Sequence, residues 1–251
     1  MQHKYVADIG DYGKYALLNA LCASDIRCLV IWYLTAEDAK NTDGKFRGYL
    51  LDDEFRETAP QIFDALKEMS LSIDGRNVGA VKANRVLPPN TDYYDIELSY
   101  RNVSLGDRKR FRDQWFAAAV EKSKKAELVF LDPDNGLEVK SRGPFSKMGT
   151  KYATVEEVKT ILADEKSVVL YQHRNHTGNI VDQVDDVFKR LAIGNKQSSG
   201  WAISFHTFST RIYFVFPASS HKSRLEARVI SFYENPKNHV FKLQVHRLNC
   251  L

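Results

Sequence analysis

Apolar residues recur along this chain in two alternating forms: short unbroken runs, and stripes at helical spacing. Arg27 to Leu34 is apolar from Cys28 onward, which predicts a strand covered on both faces. Leu128 to Leu131 and Ser167 to Tyr171 have the same character. Between these runs lie helical stripes. Tyr15 to Ala23 places Tyr15, Leu17, Leu18, Leu21 and Cys22 at helical spacing, and Phe55 to Met69 places Ile62, Phe63, Leu66 and Met69 on one face. Arg108 to Lys124 turns Phe111, Trp115, Ala118 and Ala119 inward and its basic residues largely outward. Thr154 and Glu157 form a capping-box pattern that opens a helix to Leu162, and Ile180 to Leu191 supplies another stripe. Val78 to Leu87 reads as a strand ended by Pro88-Pro89, and Asp92 to Leu98 as a short extended piece. Trp201 to Phe208 and Arg211 to Phe216 read as a hairpin, and His239 to His246 alternates like an edge strand.

This order predicts an α/β fold: a mostly parallel sheet with helices on both faces, a Rossmann-like three-layer sandwich, with antiparallel strands at the C-terminal edge. No repeat, low-complexity tract or linker divides it, so residues 1–251 read as one domain. No apolar run is long enough to cross a bilayer, and the start Met-Gln-His-Lys-Tyr has no signal-peptide core, so no membrane partner is expected. Cys22, Cys28 and Cys250 have no metal-type spacing, which fits reduced thiols and a cytoplasmic location and argues against structural zinc.

Net charge is only +4, but it is unevenly placed. Arg101 to Lys125 carries eight basic residues against three acids. Arg108, Lys109, Arg110 and Arg112 are the candidates for nucleic-acid backbone contact, with a solvated helix face as the plain alternative.

The chemistry concentrates after the third apolar run, at Asp132-Pro133-Asp134-Asn135-Gly136. In open α/β sheets, ligands bind beyond the carboxyl ends of the strands. Asp132, Asp134 and Asn135 therefore stand where such a fold does chemistry, although the same residues also build simple Asx-turns. Two further loops belong on that rim: Thr35 to Gly48, and Gln172-His173-Arg174-Asn175-His176. The segment Asp8 to Lys14, read as a loop before the first helix, can lie over it. There Asp8 and Asp11 offer carboxylates or helix caps, Tyr12 a stacking face and Lys14 a phosphate contact. Arg174 suits an anion, and His173 either a catalytic role or a structural hydrogen bond. Glu138-Val139-Lys140 following the two aspartates also has the spacing of a metal-dependent nuclease.

Two resemblances follow from these motifs. Asp11-Tyr12-Gly13-Lys14-Tyr15-Ala16-Leu17-Leu18 and Asp132-Pro133-Asp134-Asn135 resemble the Asp-x-x-Lys-His-x-x-Leu and Asp-Pro-Pro-Tyr motifs of methyltransferases acting on adenine in ribosomal RNA. That likeness implies S-adenosylmethionine as cofactor, but Thr35-Ala36-Glu37-Asp38-Ala39-Lys40 replaces the Gly-rich cofactor loop. Asp132-Pro133-Asp134-Asn135-Gly136 and Tyr171-Gln172-His173-Arg174 resemble the two motifs of the uracil-DNA glycosylase superfamily, without the Pro-Ser of the second. The pattern is also similar to anti-phage glycosylases that remove glucosylated hydroxymethylcytosine.

The glycosylase resemblance implies cofactor-free hydrolysis of the N-glycosidic bond of a flipped, modified base in DNA, such as phage DNA. Asp132, Asn135 and His173 would be catalytic. Asp8, Asp11, Tyr12, Lys14, Asp134, Arg174 and His176 would bind substrate. A methyltransferase and a metal-dependent nuclease are the alternatives.

Overall fold

Alternate residues of the central strands face opposite helical layers in the computed structural model, which describes residues 1–36, 44–72, 75–175, 178–191 and 199–248. The strands are β1 (Cys28–Trp32), β2 (Thr91–Tyr94), β3 (Leu128–Asp132), β4 (Gly136–Leu137), β5 (Tyr152–Ala153), β6 (Ser167–His173), β7 (Gly200–Phe205), β8 (Arg211–Phe216) and β9 (Gln244–Leu248). The helices are α1 (Ile9–Cys22), α2 (Asp53–Thr58), α3 (Pro60–Leu71), α4 (Val78–Ala83), α5 (Arg108–Ser123), α6 (Val155–Ala163), α7 (Ile180–Leu191) and α8 (Lys222–Glu234).

Seven strands form one sheet in the order β2-β1-β3-β6-β8-β7-β9. The first four run parallel, and β8, β7 and β9 continue the sheet by antiparallel pairing. Val30, Trp32 and Phe130 pack on one face with Leu17, Leu21, Phe63, Leu66, Leu225 and Val229, which places α1, α3 and α8 there. Leu29, Ile31, Val129 and Leu131 pack on the other with Trp115, Val158, Ile161, Val184 and Phe188, from α5, α6 and α7. The architecture is therefore the three-layer α/β sandwich with an antiparallel edge. Each fully buried aliphatic or Phe side chain contributes about 1.5–3 kcal/mol to holding the layers together.

Several local readings need correction; within His239 to His246, residues His239–Phe241 close a 3-10 helix and the edge strand runs over Gln244–Leu248 instead. Val78 to Leu87 is no strand: α4 forms because the Asn77 side chain accepts from the Ala80 N–H at 2.9 Å, and Val78 and Val81, three apart, share the buried face. The segment Ile9 to Lys14 is helical rather than a loop, because Asp8 caps α1 by accepting from the Gly10 N–H. Its glycines answer to packing: a methyl on Gly10 would meet the Arg211 guanidinium, and one on Gly13 the Phe205 ring. The stripe from Phe55 to Met69 is broken at Ala59-Pro60 into α2 and α3. In α5, Ala118 is exposed and Arg112 takes the buried face beside Trp115 and Ala119.

Candidate functional site

β1, β3 and β6 are parallel neighbours, so their carboxyl ends share one edge of the sheet. The start of the antiparallel β8 reaches the same edge, where Arg211 pairs with His173. The N-terminal turn of α1 lies over that edge. Together they enclose a cavity of about 410 Å³ lined by Asp8, Asp11, Lys14, Asp132, Asp134, Asn135 and His173, among others.

At its base the Lys14 ammonium bridges two carboxylates, 2.9 Å from Asp11 Oδ1 and 2.7 Å from Asp132 Oδ2. The first contact is set by helix geometry, since positions three apart share a face. The second joins α1 to the end of β3. All three groups are almost wholly buried. Burial pushes the Asp11 carboxyl up to about 6; Lys14 opposes that rise and Asp132 adds to it. Burial alone would lower the Lys14 ammonium, but Asp11 and Asp132 overrule it and hold it above the ordinary lysine value. The Tyr15 hydroxyl donates to Asp11 Oδ2 at 3.2 Å, and the Tyr171 ring lies 5.5 Å from Lys14 Nζ.

The turn after β3 is tied down by backbone. The Asn135 N–H donates to Lys151 O at 3.0 Å, and its carbonyl accepts from the His173 N–H at 3.2 Å. Gly136 has φ +111°, and a Cβ there would lie 2.1 Å from Gln172 Oε1, so only glycine lets the turn close against β6. Gln172 uses that approach to accept from the Leu137 N–H at 2.8 Å. Asp134 ion-pairs with the Met1 amine and, at 3.3 Å, with Lys151. Asp8 pairs with Arg211 at 3.1 Å while capping α1.

Other expected residues lie elsewhere. Tyr12 is sealed in the core among Tyr49, Phe55, Phe63 and Phe241, with its hydroxyl donating to Phe55 O, so it offers no stacking face. Arg174 is exposed and does not line the cavity. His176, like residues 37–43 of the loop after β1, falls outside the described residues.

The basic face of α5 is corrected as well. Arg112 is buried, bidentate to Glu157 at 2.7 and 2.9 Å, and donates to the carbonyls of Pro144, Gly149 and Tyr152. It holds the segment that brings Met148 and Lys151 to the cavity, and is not available to phosphate. Arg108 is spent on the carbonyls of Val103 and Phe145. Lys109 and Arg110 are exposed but paired with Asp113 and Asp107. Glu138 caps α6 by accepting from the Val155 N–H at 2.9 Å and does not join Asp132, so the nuclease-like spacing is not a nuclease-like cluster. Among the described residues no three His, Cys, Asp or Glu side chains are grouped to hold a metal ion, and no helix is long and apolar enough to cross a membrane.

Sequence reasoning missed Tyr171, Arg211, Met148 and Lys151. A charged residue opening the apolar run Arg211 to Phe216 was the available signal for Arg211; Met148 and Lys151 sit in a polar loop without one.

No protein-family model and no curated protein sequence matches the chain. Among solved structures, a Legionella pneumophila protein of the family DUF519 is similar at 10% identity, with a TM-score of 0.49, over 97% of this chain and 98% of that one.

Proposed function

We propose that the protein hydrolyses the N-glycosidic bond of a nucleotide whose base and sugar enter this cavity, as a DNA glycosylase does. The observation that carries the reading is the lining: Asp132, Asp134, Asn135 and His173, delivered by two neighbouring parallel strands, meet Asp11 and Lys14 in one enclosed space. The charge balance supports a polar but largely neutral occupant. Lys14 is matched by Asp11 and Asp132, Lys151 by Asp134, and Arg211 by Asp8. A cavity built for a phosphate chain would keep cations in excess; here they are spent.

In this reading the C1′–N bond breaks with its electron pair leaving on the base, and water adds to C1′. Asp132, positioned by Lys14, stabilises the positive charge that develops on the sugar, an effect worth about 2–4 kcal/mol for a preorganised group. Asn135 hydrogen-bonds the base edge. His173, with Tyr171 Oη 3.4 Å from its Nδ1, stands where the departing base gathers negative charge. Asp11, raised by burial to about 6, takes up a proton below that pH and can pass it to the leaving base. The water's proton passes to a cavity carboxylate. No cofactor takes part.

Mass spectrometry of bases freed from normal and modified DNA tests the reading. The expected result is a free base and an alkali-labile site with wild type, reduced at least 100-fold in Asp132→Asn. No release from any substrate rejects it.

A methyltransferase is the second reading, because the Lys14–Asp132 contact joins the two motifs on which that resemblance rests. Against it, the Thr35 N–H beyond β1, where the cofactor loop belongs, is bonded to the Met1 carbonyl at 2.9 Å. Saturable binding of S-adenosylmethionine by calorimetry favours methylation; its absence favours hydrolysis.

A further inference from the structure

Phe46 and Phe208 stack on one another in the open, with ring centroids 5.8 Å apart and planes 29° from parallel. They come from different parts of the chain: the loop after β1 and the β7–β8 connection. Their exposures, 51% and 60%, are high for large apolar rings. Phe46 lines the cavity, and so does Ser209, next to Phe208, so the pair stands at its mouth. Met148, itself 41% exposed, also lines it.

The backbone makes Phe208 more unusual. Its φ is +64°, a conformation suited to Gly or Asn and an outlier for a bulky residue. A ring that is both exposed and held on unfavourable backbone contributes nothing to the core. It calls for a ligand.

The cations nearby differ from those inside. Lys45, next to Phe46, and Arg174, whose N–H donates to Thr210 O at 3.2 Å, are exposed, and among the described residues neither forms an ion pair. Flat apolar rings flanked by exposed cations match unpaired bases on a phosphodiester strand, since every base has a face to stack and each linkage has a charge to contact. A duplex hides its base faces and offers these rings nothing.

We infer that the cavity mouth holds single-stranded nucleic acid, with one unpaired base stacked on the Phe46–Phe208 pair, the neighbouring nucleotide in the cavity, and Lys45 and Arg174 on the flanking phosphates. This rests on the proposed hydrolysis for the fate of the nucleotide in the cavity, but the binding is measurable without it.

The test is fluorescence anisotropy with a labelled mixed-sequence 12-mer as single-stranded DNA, as RNA of the same sequence, and as blunt duplex DNA. Phe208→Gly removes the ring and suits the positive φ, so the fold is kept and thermal melting serves as its control. Wild type is expected to bind at least one single strand more tightly than the duplex. Phe208→Gly and Phe46→Ala should each weaken single-strand binding by about 5- to 100-fold, the range for loss of one base stack. Lys45→Ala and Arg174→Ala should each reduce the salt slope by about 0.7.

Equal or tighter duplex binding, or unchanged single-strand affinity in a folded Phe208→Gly, overturns the inference. Base release measured in parallel separates the two claims. Stacking-dependent binding with no base release sinks only the hydrolysis. Base release from duplex DNA at the same rate in wild type and Phe208→Gly sinks only the single-strand platform.

Discussion

Lys14 Nζ lies 2.7 Å from Asp132 Oδ2, a contact between α1 and the end of β3 that spans 118 positions of sequence. It joins the first turns of α1 to the acidic turn after β3. Lys14 also touches Asp11, so one buried ammonium serves two buried carboxylates. Such a cluster is costly to desolvate and holds only while complete.

Removing its centre should therefore be severe. Lys14→Met keeps the volume of the side chain and leaves Asp11 and Asp132 facing each other without a cation. Urea unfolding is expected to show a loss of about 3–5 kcal/mol, the penalty for breaking a buried pair. Adding Asp132→Asn to Lys14→Met should recover part of that loss. A double variant less stable than the single one would mean that the carboxylate is not the group left stranded.

Asp11 makes stability depend on pH with a definite sign. Its folded value of about 6 lies above the ordinary aspartate value of 3.8, so between these the folded chain binds the extra proton. Its contribution is complete below about pH 4 and is lost as pH rises through about 6, amounting to about 3 kcal/mol. Unfolding free energies measured from pH 4 to 7 should fall more steeply in wild type than in Asp11→Asn. Parallel curves would remove the buried acid from the account.

Arg112 acts on the site from behind. Arg112→Ala strands Glu157 and three carbonyls, at an expected cost of about 3–5 kcal/mol. Arg112→Lys should rescue little, because an ammonium cannot reproduce the bidentate fork. Hydrogen exchange over residues 144–153 should quicken in both variants. Unchanged protection there would separate Arg112 from the placing of Met148 and Lys151.

Tyr12 should prove structural. Tyr12→Phe loses one buried hydrogen bond, to Phe55 O, with an expected cost of about 1 kcal/mol. Activity per folded molecule should match wild type. A large drop in turnover with unchanged stability would return the ring to the site.

The strand edge was readable because an unbroken apolar run ending in Asp132-Pro133-Asp134-Asn135-Gly136 is a local pattern with one good structural solution. The capping box at Thr154 and Glu157 forms as its spacing predicts, for the same reason. Val78 to Leu87 misled because β-branched valines fit a strand by propensity, while the Asn77 cap and burial three residues apart favour a helix. Arg112 misled because a helix stripe does not reveal whether a guanidinium will find a carboxylate 45 positions away. Tyr12 misled because both core and site accept an aromatic ring.

By itself, then, the sequence determined the layer order and the strand that carries the acidic turn, since periodicity acts over a few residues. Only the tertiary structure decided which charges meet. Lys14 with Asp132, Arg112 with Glu157, and Phe46 with Phe208 are contacts between distant segments, and their pairing depends on where the sheet brings its edges together. Buried charges must be matched wherever they land, and no local pattern encodes the partner.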